Sequence, residues 1–96
     1  MIVHIVMFKF QDENKDSNIE IVKGKLLQLD KDLSLIKKME VGVDFNQSER
    51  AYDLVLYTHF DSKEDLNSYA VDDKHQEVVK FIKSVTIDTK VVDYIL

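Results

Sequence analysis

Tyr69 and His75 are six positions apart in the segment YAVDDKH, with Asp72 and Asp73 between them. An imidazole of ordinary pKa, about 6.5, can accept or donate a proton near neutral pH. A phenol close to it can donate a hydrogen bond to a carbonyl or enolate oxygen. The pair therefore has the two groups that a proton transfer at a carbonyl compound requires, with His75 as the base and Tyr69 as the partner of the oxyanion. Chemistry of this kind uses no cofactor, and none is predicted.

A structural role for the same two residues is also compatible with the sequence. Tyr69 shares an apolar helical stripe with Leu66, and tyrosines often bury the ring while the hydroxyl makes a hydrogen bond. His75 shares a helical face with Val78 and Ile82, and could brace the corner between two helices. Both interpretations stay open at the level of sequence.

His4 is the second histidine that could meet a ligand. It lies in the apolar segment MIVHIVMFKF, where its side chain points either toward the helices or into a space between the two sheets of a dimer. In an apolar pocket it would be the polar group that orients a ligand. As a core residue it would instead be satisfied by hydrogen bonds within the protein. His59, near the end of another strand, is expected to be exposed and without a role.

A metal site at Asp72, Asp73 and His75 has little support in the sequence. Acidic corners are common, no further cluster of ligands accompanies these three, and an aspartate there is better explained as the cap of the following helix. The chain also contains no glycine-rich phosphate loop, no nucleophile elbow and no His/Cys ligand spacing. The sequence therefore favours neither a metal centre nor phosphoryl transfer, triad hydrolysis or zinc chemistry.

Composition limits the classes of partner. The chain has 96 residues, no cysteine and a net charge of −5, which fits one domain over residues 1–96. An acidic balance disfavours nucleic acids and anionic membrane surfaces as partners. No apolar run approaches the roughly 18 residues of a membrane span, and the N-terminal segment lacks the basic leader of a signal peptide. A cytoplasmic protein is the expectation.

The elements that must position these residues follow from hydrophobic periodicity. The segment from Ile2 to Phe10 is rich in β-branched and aromatic residues and predicts a strand with two apolar faces. Ser17 and Glu20 have the spacing of a capping box, which predicts the start of a helix that ends near Asp32. Alternating residues then predict the two strands of a hairpin, 37–45 and 52–60.

The second half of the chain predicts another helical region and a final strand. Ser62 and Asp65 form a second capping box, which predicts a helix up to the Asp72–Asp73 corner. A further helical segment follows, and residues 86–95 predict the last strand. The order is βαββαβ, which predicts an α+β, ferredoxin-like protomer with a four-stranded antiparallel sheet and helices on one face.

The other face of such a sheet would meet water, and the sequence has few polar residues to put there. Apolar residues on the predicted strands include Ile2, Val6, Phe8, Leu54, Leu56 and Val91. A second copy of the chain, packed sheet against sheet, would cover them. The sequence therefore predicts a homodimer through the sheet faces, with an interior between the two sheets that His4, Tyr69 and His75 would reach.

Three segments give the chain a family resemblance. The opening HIVMFKF, the central AYDLVLYTHFDSKEDLNSYAVDDKHQEVVKFIKSV and the closing VVDY resemble, in order and spacing, the stress-responsive α/β-barrel domain family, also called Dabb. The resemblance implies a dimeric α/β barrel built from ferredoxin-like protomers. It also implies a range of functions, since some plant members cyclise polyketides without a cofactor and others are stress-linked or defence proteins.

The resemblance also bears on the candidate residues. In the family, the helix that carries Tyr69 is typically followed by His-Pro-x-His, which here reads Asp72-Asp73-Lys74-His75. The tyrosine and the second histidine are present, whereas the first histidine and the proline are replaced. His4 falls where cyclase-type members place a pocket histidine. Asp72 is expected to repel an anionic substrate and to favour the protonated form of His75.

Three functions follow as hypotheses. The first is a homodimeric barrel that binds a small apolar molecule. The second is a cofactor-independent enzyme, of a polyketide cyclase, isomerase or monooxygenase type, that uses the His/Tyr pair with His4 as an orienting group. The third is a barrel packed solid with aromatic side chains such as Phe8 and Phe45. A cavity of about 300 Å³ or more, reached by His4, Tyr69 and His75, would separate the first two hypotheses from the third.

Overall fold

The computed structural model describes the whole chain, residues 1–96. Four strands and three helices follow one another as β1 (Ile2–Phe10), α1 (Lys15–Asp32), β2 (Lys38–Val43), β3 (Leu54–Phe60), α2 (Lys63–Val71), α3 (Asp73–Val85) and β4 (Thr86–Ile95). The strands form one antiparallel sheet in the order β2-β3-β1-β4, and the helices pack on one face of it. The predicted ferredoxin-like protomer is therefore confirmed.

Helix α1 begins before the predicted capping box. Its N-cap is Asn14, which has the left-handed backbone conformation with φ of 54°, and its first helical residue is Lys15. Ser17 lies inside the first turn, where its hydroxyl donates to the Asn14 carbonyl at 3.2 Å. The predicted start was wrong because asparagine enters the left-handed conformation more readily than most residues and turns the chain before Ser17 is reached. The predicted end near Asp32 is confirmed.

The hairpin strands are shorter than their alternation predicted. β2 stops at Val43 and β3 starts at Leu54, so that Phe45 lies in the loop between them with 92% of its surface exposed. The Asp44 carboxylate accepts a hydrogen bond of 2.7 Å from the N–H of Gln47. A side-chain turn of this kind competes with strand pairing, and it ends the strand although the apolar alternation continues to Phe45.

A single aspartate joins α2 to α3. Asp72 has an extended backbone, with ψ of 137°, and its carboxylate accepts hydrogen bonds from the N–H groups of Lys74 and His75, at 2.8 and 3.2 Å. These contacts satisfy two of the free donors at the start of α3, which confirms the interpretation of Asp72 as a helix cap. At the start of α2, the N–H of Asp65 donates to the Ser62 hydroxyl at 3.1 Å, which confirms Ser62 as the cap and is one of the two hydrogen bonds of a capping box.

The core lies between the sheet and the helices. Side chains of β1 and β3 pack against the apolar stripe of α1 and against the inner sides of α2 and α3. The most deeply buried members of this cluster are Phe10, Val22, Leu26, Leu54, Phe60 and Tyr69. No helix combines the length and the apolar character that crossing a bilayer would require.

The side of the sheet that points away from the helices, here called the outer face, is mixed in character. Its apolar members are Val3, Ile5, Met7, Val55 and Val92, and its polar members are Lys9, Lys38, Glu40, Tyr57, His59, Asp88, Lys90 and Tyr94. Five of the six residues predicted to need a partner, namely Ile2, Val6, Phe8, Leu54 and Leu56, instead face the helices and are buried in the protomer. That prediction was wrong because strand alternation assigns them to the side that the helices already cover.

Strand β4 lies at the edge of the sheet and is open on both of its faces. Every residue of the strand after Thr86 is exposed, including Val91 and Val92, which expose 53% and 57% of their surfaces. Val91 points to the helix side and Val92 to the outer face, since they pair with Val6 and Ile5 respectively. Soluble proteins usually cover or pair an apolar edge of this kind.

Candidate functional site

The structure brings the three predicted site residues together around one cavity. The cavity has a volume of about 280 Å³ and lies between the sheet and the helices, with His4 on β1, Tyr69 on α2 and His75 on α3. This volume is slightly below the value of about 300 Å³ that was expected to separate a binding cavity from a packed interior. The rest of its lining is mostly apolar and consists of Val6, Phe8, Leu26, Leu56, Val78, Val79, Ile82, Lys83, Thr89 and Val91. Of the two directions that the sequence left open for His4, the structure shows the one toward the helices, so this cavity does not lie between two sheets.

The junction at Asp72 determines how Tyr69 and His75 meet. Tyr69 lies in the last turn of α2 and His75 in the first turn of α3, and the change of direction at Asp72 brings their ring centroids to 4.1 Å. The Tyr69 ring also packs against Phe60, with centroids 5.0 Å apart. The His4 ring approaches Tyr69 from the sheet, at 6.4 Å. One phenol ring thus lies next to two imidazoles.

Tyr69 has a buried hydroxyl without a hydrogen-bond partner. The residue is 1% exposed, and its Oη is the one buried side-chain polar atom that lacks a partner. Burial raises the pKa of Tyr69 to about 12, and the charge of Asp72 adds to the rise, so the phenol keeps its proton at neutral pH. A buried donor without an acceptor costs about 1–3 kcal/mol and is rare in folded proteins. Tyr69 thus combines a place in the lining of the cavity with a hydroxyl donor that no group of the protein accepts.

His75 is oriented by the end of the preceding helix. Its Nδ1 lies 3.2 Å from the carbonyl oxygen of Ala70, so Nδ1 carries the proton and Nε2 remains an acceptor. Burial lowers the pKa of His75 and His4 lowers it further, whereas the Ala70 hydrogen bond and Asp72 act in the opposite direction. The imidazole is therefore neutral at neutral pH. The predicted effect of Asp72, which favours the protonated form, is confirmed in direction, but desolvation is larger and the net pKa of His75 is lowered.

Asp93 belongs to the site and was missed by sequence reasoning. Its carboxylate accepts a hydrogen bond from Nδ1 of His4, which it faces in register across β4 and β1. A carboxylate bound to one imidazole nitrogen orients the ring and leaves the other nitrogen free to meet a ligand. The signal in the sequence was an acid inside the apolar segment VVDYI. It could not be used, since the register between the first and last strands does not follow from local pattern.

His59 lies outside the site. It is half-buried on the outer face, not exposed as predicted, and its Nε2 lies 2.8 Å from the Tyr57 hydroxyl. No group of three or more His, Asp or Glu side chains is arranged to hold a metal ion. Asp72, one of the acids that could have served as a ligand, instead caps α3.

Three hollows elsewhere on the molecule are larger than the candidate cavity, with volumes of about 610, 520 and 320 Å³. The largest of them lies beside the β2–β3 loop, where Met7, Phe45, Arg50 and Tyr52 contribute to its lining. It is a groove open to solvent, and no histidine lines it. The smaller cavity remains the candidate site, because it joins an apolar lining to convergent polar groups whose pKa values are shifted by burial.

Comparison with known proteins gives a family and relatives. A family model described as the stress responsive A/B barrel domain matches residues 2–96. A stress-response A/B barrel domain-containing protein of Arabidopsis thaliana, DABB1, is 34% identical over 100 residues. That alignment covers 99% of this chain and 47% of the plant protein, so the chain spans about half the length of the curated relative that it matches.

Solved structures with the same fold include proteins with and without an assigned activity. A dimeric protein of unknown function with a ferredoxin-like fold, from Bacteroides fragilis, is 31% identical, has a TM-score of 0.88, and covers 97% of this chain and 93% of its own. Hydroxynitrile lyase from Passiflora edulis has a TM-score of 0.87 at 18% identity, covering 99% of this chain and 92% of its own. At 18% identity the similarity concerns the fold alone.

Proposed function

The chain belongs to the stress responsive A/B barrel domain family, and on that premise we propose that it forms a homodimeric barrel in which each protomer binds a small, largely apolar molecule with a carbonyl group. The molecule fills the cavity between the sheet and the helices. Tyr69 donates a hydrogen bond to the carbonyl oxygen, and His4 and His75 lie beside it. No cofactor takes part in this function.

The observation that carries the proposal is the buried, unpartnered hydroxyl of Tyr69, a residue that lines an apolar cavity. If this residue served packing alone, phenylalanine would fill the same space without a desolvated donor. A carbonyl oxygen in the cavity supplies the missing acceptor. The apolar side chains around it bury the remainder of the ligand, which is the usual division of labour in small-molecule sites.

A binding experiment with matched probes tests this proposal. Acetophenone and ethylbenzene have similar shapes, but the ketone alone offers an acceptor to Tyr69. In NMR titrations we expect both to shift resonances of cavity residues, the ketone to bind more tightly, and Tyr69→Phe to abolish that preference. Tyr57→Phe, on the outer face, is the control and should keep it. Absence of shifts at the cavity, for a range of small ketones, would refute the proposed function.

Surface character supports the homodimer. Met7, Val55 and Val92 on the outer face expose 39%, 36% and 57% of their surfaces, which leaves apolar area for a partner to bury. The edge strand β4 continues this surface around the side of the sheet. A second copy packed on the outer face covers these residues and leaves the cavity accessible, because the cavity is on the opposite side of the sheet.

A cofactor-independent enzyme is the second candidate, and the neutral imidazole of His75 favours it. Nε2 of His75 accepts a proton from the carbon next to the bound carbonyl, and the electron pair of the broken C–H bond forms the double bond of an enolate. The negative charge moves to the carbonyl oxygen, where the Tyr69 hydroxyl stabilises it. The proton then returns to the product, so an isomerisation or a cyclisation of this kind consumes no oxidant or reductant.

Isotope exchange tests this step directly. Exchange of the hydrogens next to the carbonyl for solvent deuterium, followed by NMR of the ketone, should be faster with the protein than without it. His75→Gln and Tyr69→Phe should each slow the catalysed exchange by about 100-fold, whereas His59→Gln should leave it unchanged. Equal exchange rates in the wild type and in all variants would refute the enzyme and leave the binding function standing.

A further inference from the structure

The candidate cavity has polar groups at both of its ends, and the proposed function uses those at one end. His4, Tyr69 and His75 lie at the end next to the first turn of α3. The opposite end is lined by Lys83, in the last turn of α3, and by Thr89 on β4. Lys83 is the only lysine or arginine in the lining.

The helix wall and the sheet wall of the cavity have about the same length. Along α3, His75 and Lys83 are eight residues apart, which corresponds to about 12 Å at the helical rise. Along the sheet, Asp93 and Thr89 on β4 are four residues apart, which corresponds to about 13 Å. The two polar ends of the cavity are therefore about 12 Å apart.

The space between the two ends is apolar. Val78 and Val79 of α3 face it from one side, and Val6 and Val91 of the sheet face it from the other. None of these side chains can pair with a charge or a carbonyl, so a ligand that spans the cavity carries its polar groups at its two ends.

Lys83 is free to bind an anion. The lysines that form salt bridges in this structure are Lys15, Lys37, Lys38, Lys74 and Lys90. Lys83 is exposed and has no such partner, and its place in the last turn of α3 gives it a modest favourable interaction with the helix dipole. Because the helix dipole does not neutralise the ammonium group, Lys83 can still bind an anion at its end of the cavity.

We propose that the ligand is an oxo acid, with its carbonyl at Tyr69 and a carboxylate at its other end, where Lys83 binds it and selects it over uncharged analogues. This inference rests on the proposed function, because it concerns the same cavity. The chain has a net charge of −5, which disfavours anions in general, so a local cation is needed to admit one. Asp72 and Asp93 are at the far end, about 12 Å away, beyond the roughly 8 Å screening length of physiological salt.

Calorimetric titration with matched straight-chain probes tests the proposal. The probes are an oxodecanoate whose ketone is at the end remote from the carboxylate, the methyl ester of that acid, and decanoate. We expect the wild type to bind the oxo acid more tightly than the ester, with a difference that shrinks as salt is added. Lys83→Gln should weaken binding of the acid about three- to fivefold and leave the ester unaffected, and Lys83→Glu should weaken it further. Lys80→Gln, on an exposed turn of the same helix, is the matched control.

The outcomes separate this inference from the proposed function. If the wild type binds the acid and the ester equally tightly, Lys83 has no selective role. The same follows if Lys83→Gln and Lys80→Gln weaken binding of the acid equally. In either case, ester binding that depends on Tyr69 leaves the proposed function in place. Equal affinity for the oxo acid and decanoate overturns the carbonyl contact at Tyr69. If none of the three probes binds, the proposed function and this inference fall together.

Discussion

Tyr69 and the two imidazoles next to it define the site at the scale of single residues. Burial acts on both titratable groups of the central pair, since it raises the pKa of Tyr69 to about 12 and lowers that of His75. Near neutral pH the phenol is therefore a donor and the imidazole an acceptor, and neither is charged. Neutral groups can be held in an apolar cavity at a far lower cost than ions. These states suit the neutral carbonyl compound that we propose as ligand.

Replacing Tyr69 with phenylalanine is expected to leave the ligand-free protein as stable as before, or to stabilise it by about 1 kcal/mol, because the unpaired donor is removed. Urea denaturation measures the free energy of unfolding. Tyr57→Phe is the matched control: it removes a hydroxyl that is paired with His59, and should cost about 0.5–1.5 kcal/mol. If the two variants lose the same stability, the Tyr69 hydroxyl has a partner in solution and our account of it is wrong.

The lowered pKa of His75 makes stability depend on pH. In the unfolded chain the imidazole gains a proton near its usual pKa of about 6.5, and in the folded protein it does so only at a lower pH. Between these two pKa values the unfolded state binds more protons than the folded state. The contribution of His75 to the free energy of unfolding is therefore complete above about pH 6.5 and is lost as the pH falls below that value. Denaturation at a series of pH values should show a steeper loss for the wild type than for His75→Gln. Parallel curves would contradict the assignment.

At the scale of elements, the break between α2 and α3 builds the site. Asp72 stands where the family pattern has its first histidine, and its carboxylate caps α3. The cap holds His75 in the first turn of α3, against Tyr69 at the end of α2. The relative placement of the two rings therefore depends on the backbone of one residue. The aspartate replaces a histidine and supplies the helix start with a side-chain acceptor.

Asp72→Ala should destabilise the protein by about 1 kcal/mol, because two N–H groups at the start of α3 lose their acceptor. Asp72→Asn keeps an acceptor and should recover most of the loss, as measured by urea denaturation. Asp73→Ala is the neighbouring control, since Asp73 lies inside the first turn of α3 and is not its cap. A loss in Asp73→Ala as large as that in Asp72→Ala would indicate a general charge effect instead of a cap.

At the scale of the whole molecule, one side of the sheet is covered by helices and the other side is open. The covered side contains both the core and the cavity, so the proposed ligand site is built within a single protomer. The open side and the edge strand β4 carry exposed valines and methionine between charged residues. The proposed binding site and the proposed association surface therefore lie on opposite sides of one sheet.

Val92→Glu tests the association surface. Val92 exposes 57% of its surface on the outer face, and a carboxylate there would be buried without a partner in a sheet-to-sheet dimer. Size-exclusion chromatography with light scattering should show a dimer for the wild type at micromolar concentration and a monomer for the variant. Ile21→Glu, at an exposed apolar position of α1, is the control and should remain dimeric. A monomeric wild type would refute the homodimer.

Local sequence pattern was sufficient for the order of the elements, the bounds of β4, and the caps at Ser62 and Asp72, because each depends on residues that are close together in the chain. Local pattern did not predict the start of α1 or the end of β2, because in each case one short polar side chain or turn overrode a longer apolar pattern. Residue chemistry and spacing supplied Tyr69, His75 and His4 as candidates, and the family resemblance supported them, although neither gave the place where they meet.

Only the tertiary structure decided that place. The direction of His4, its pairing with Asp93 and the position of the cavity depend on strand register and on the side to which the helices pack, and a shift of one residue along a strand would reverse every one of its side chains. The protonation state of His75 was likewise a tertiary outcome. Asp72 is its neighbour in sequence, but burial by the whole fold has the larger effect on its pKa.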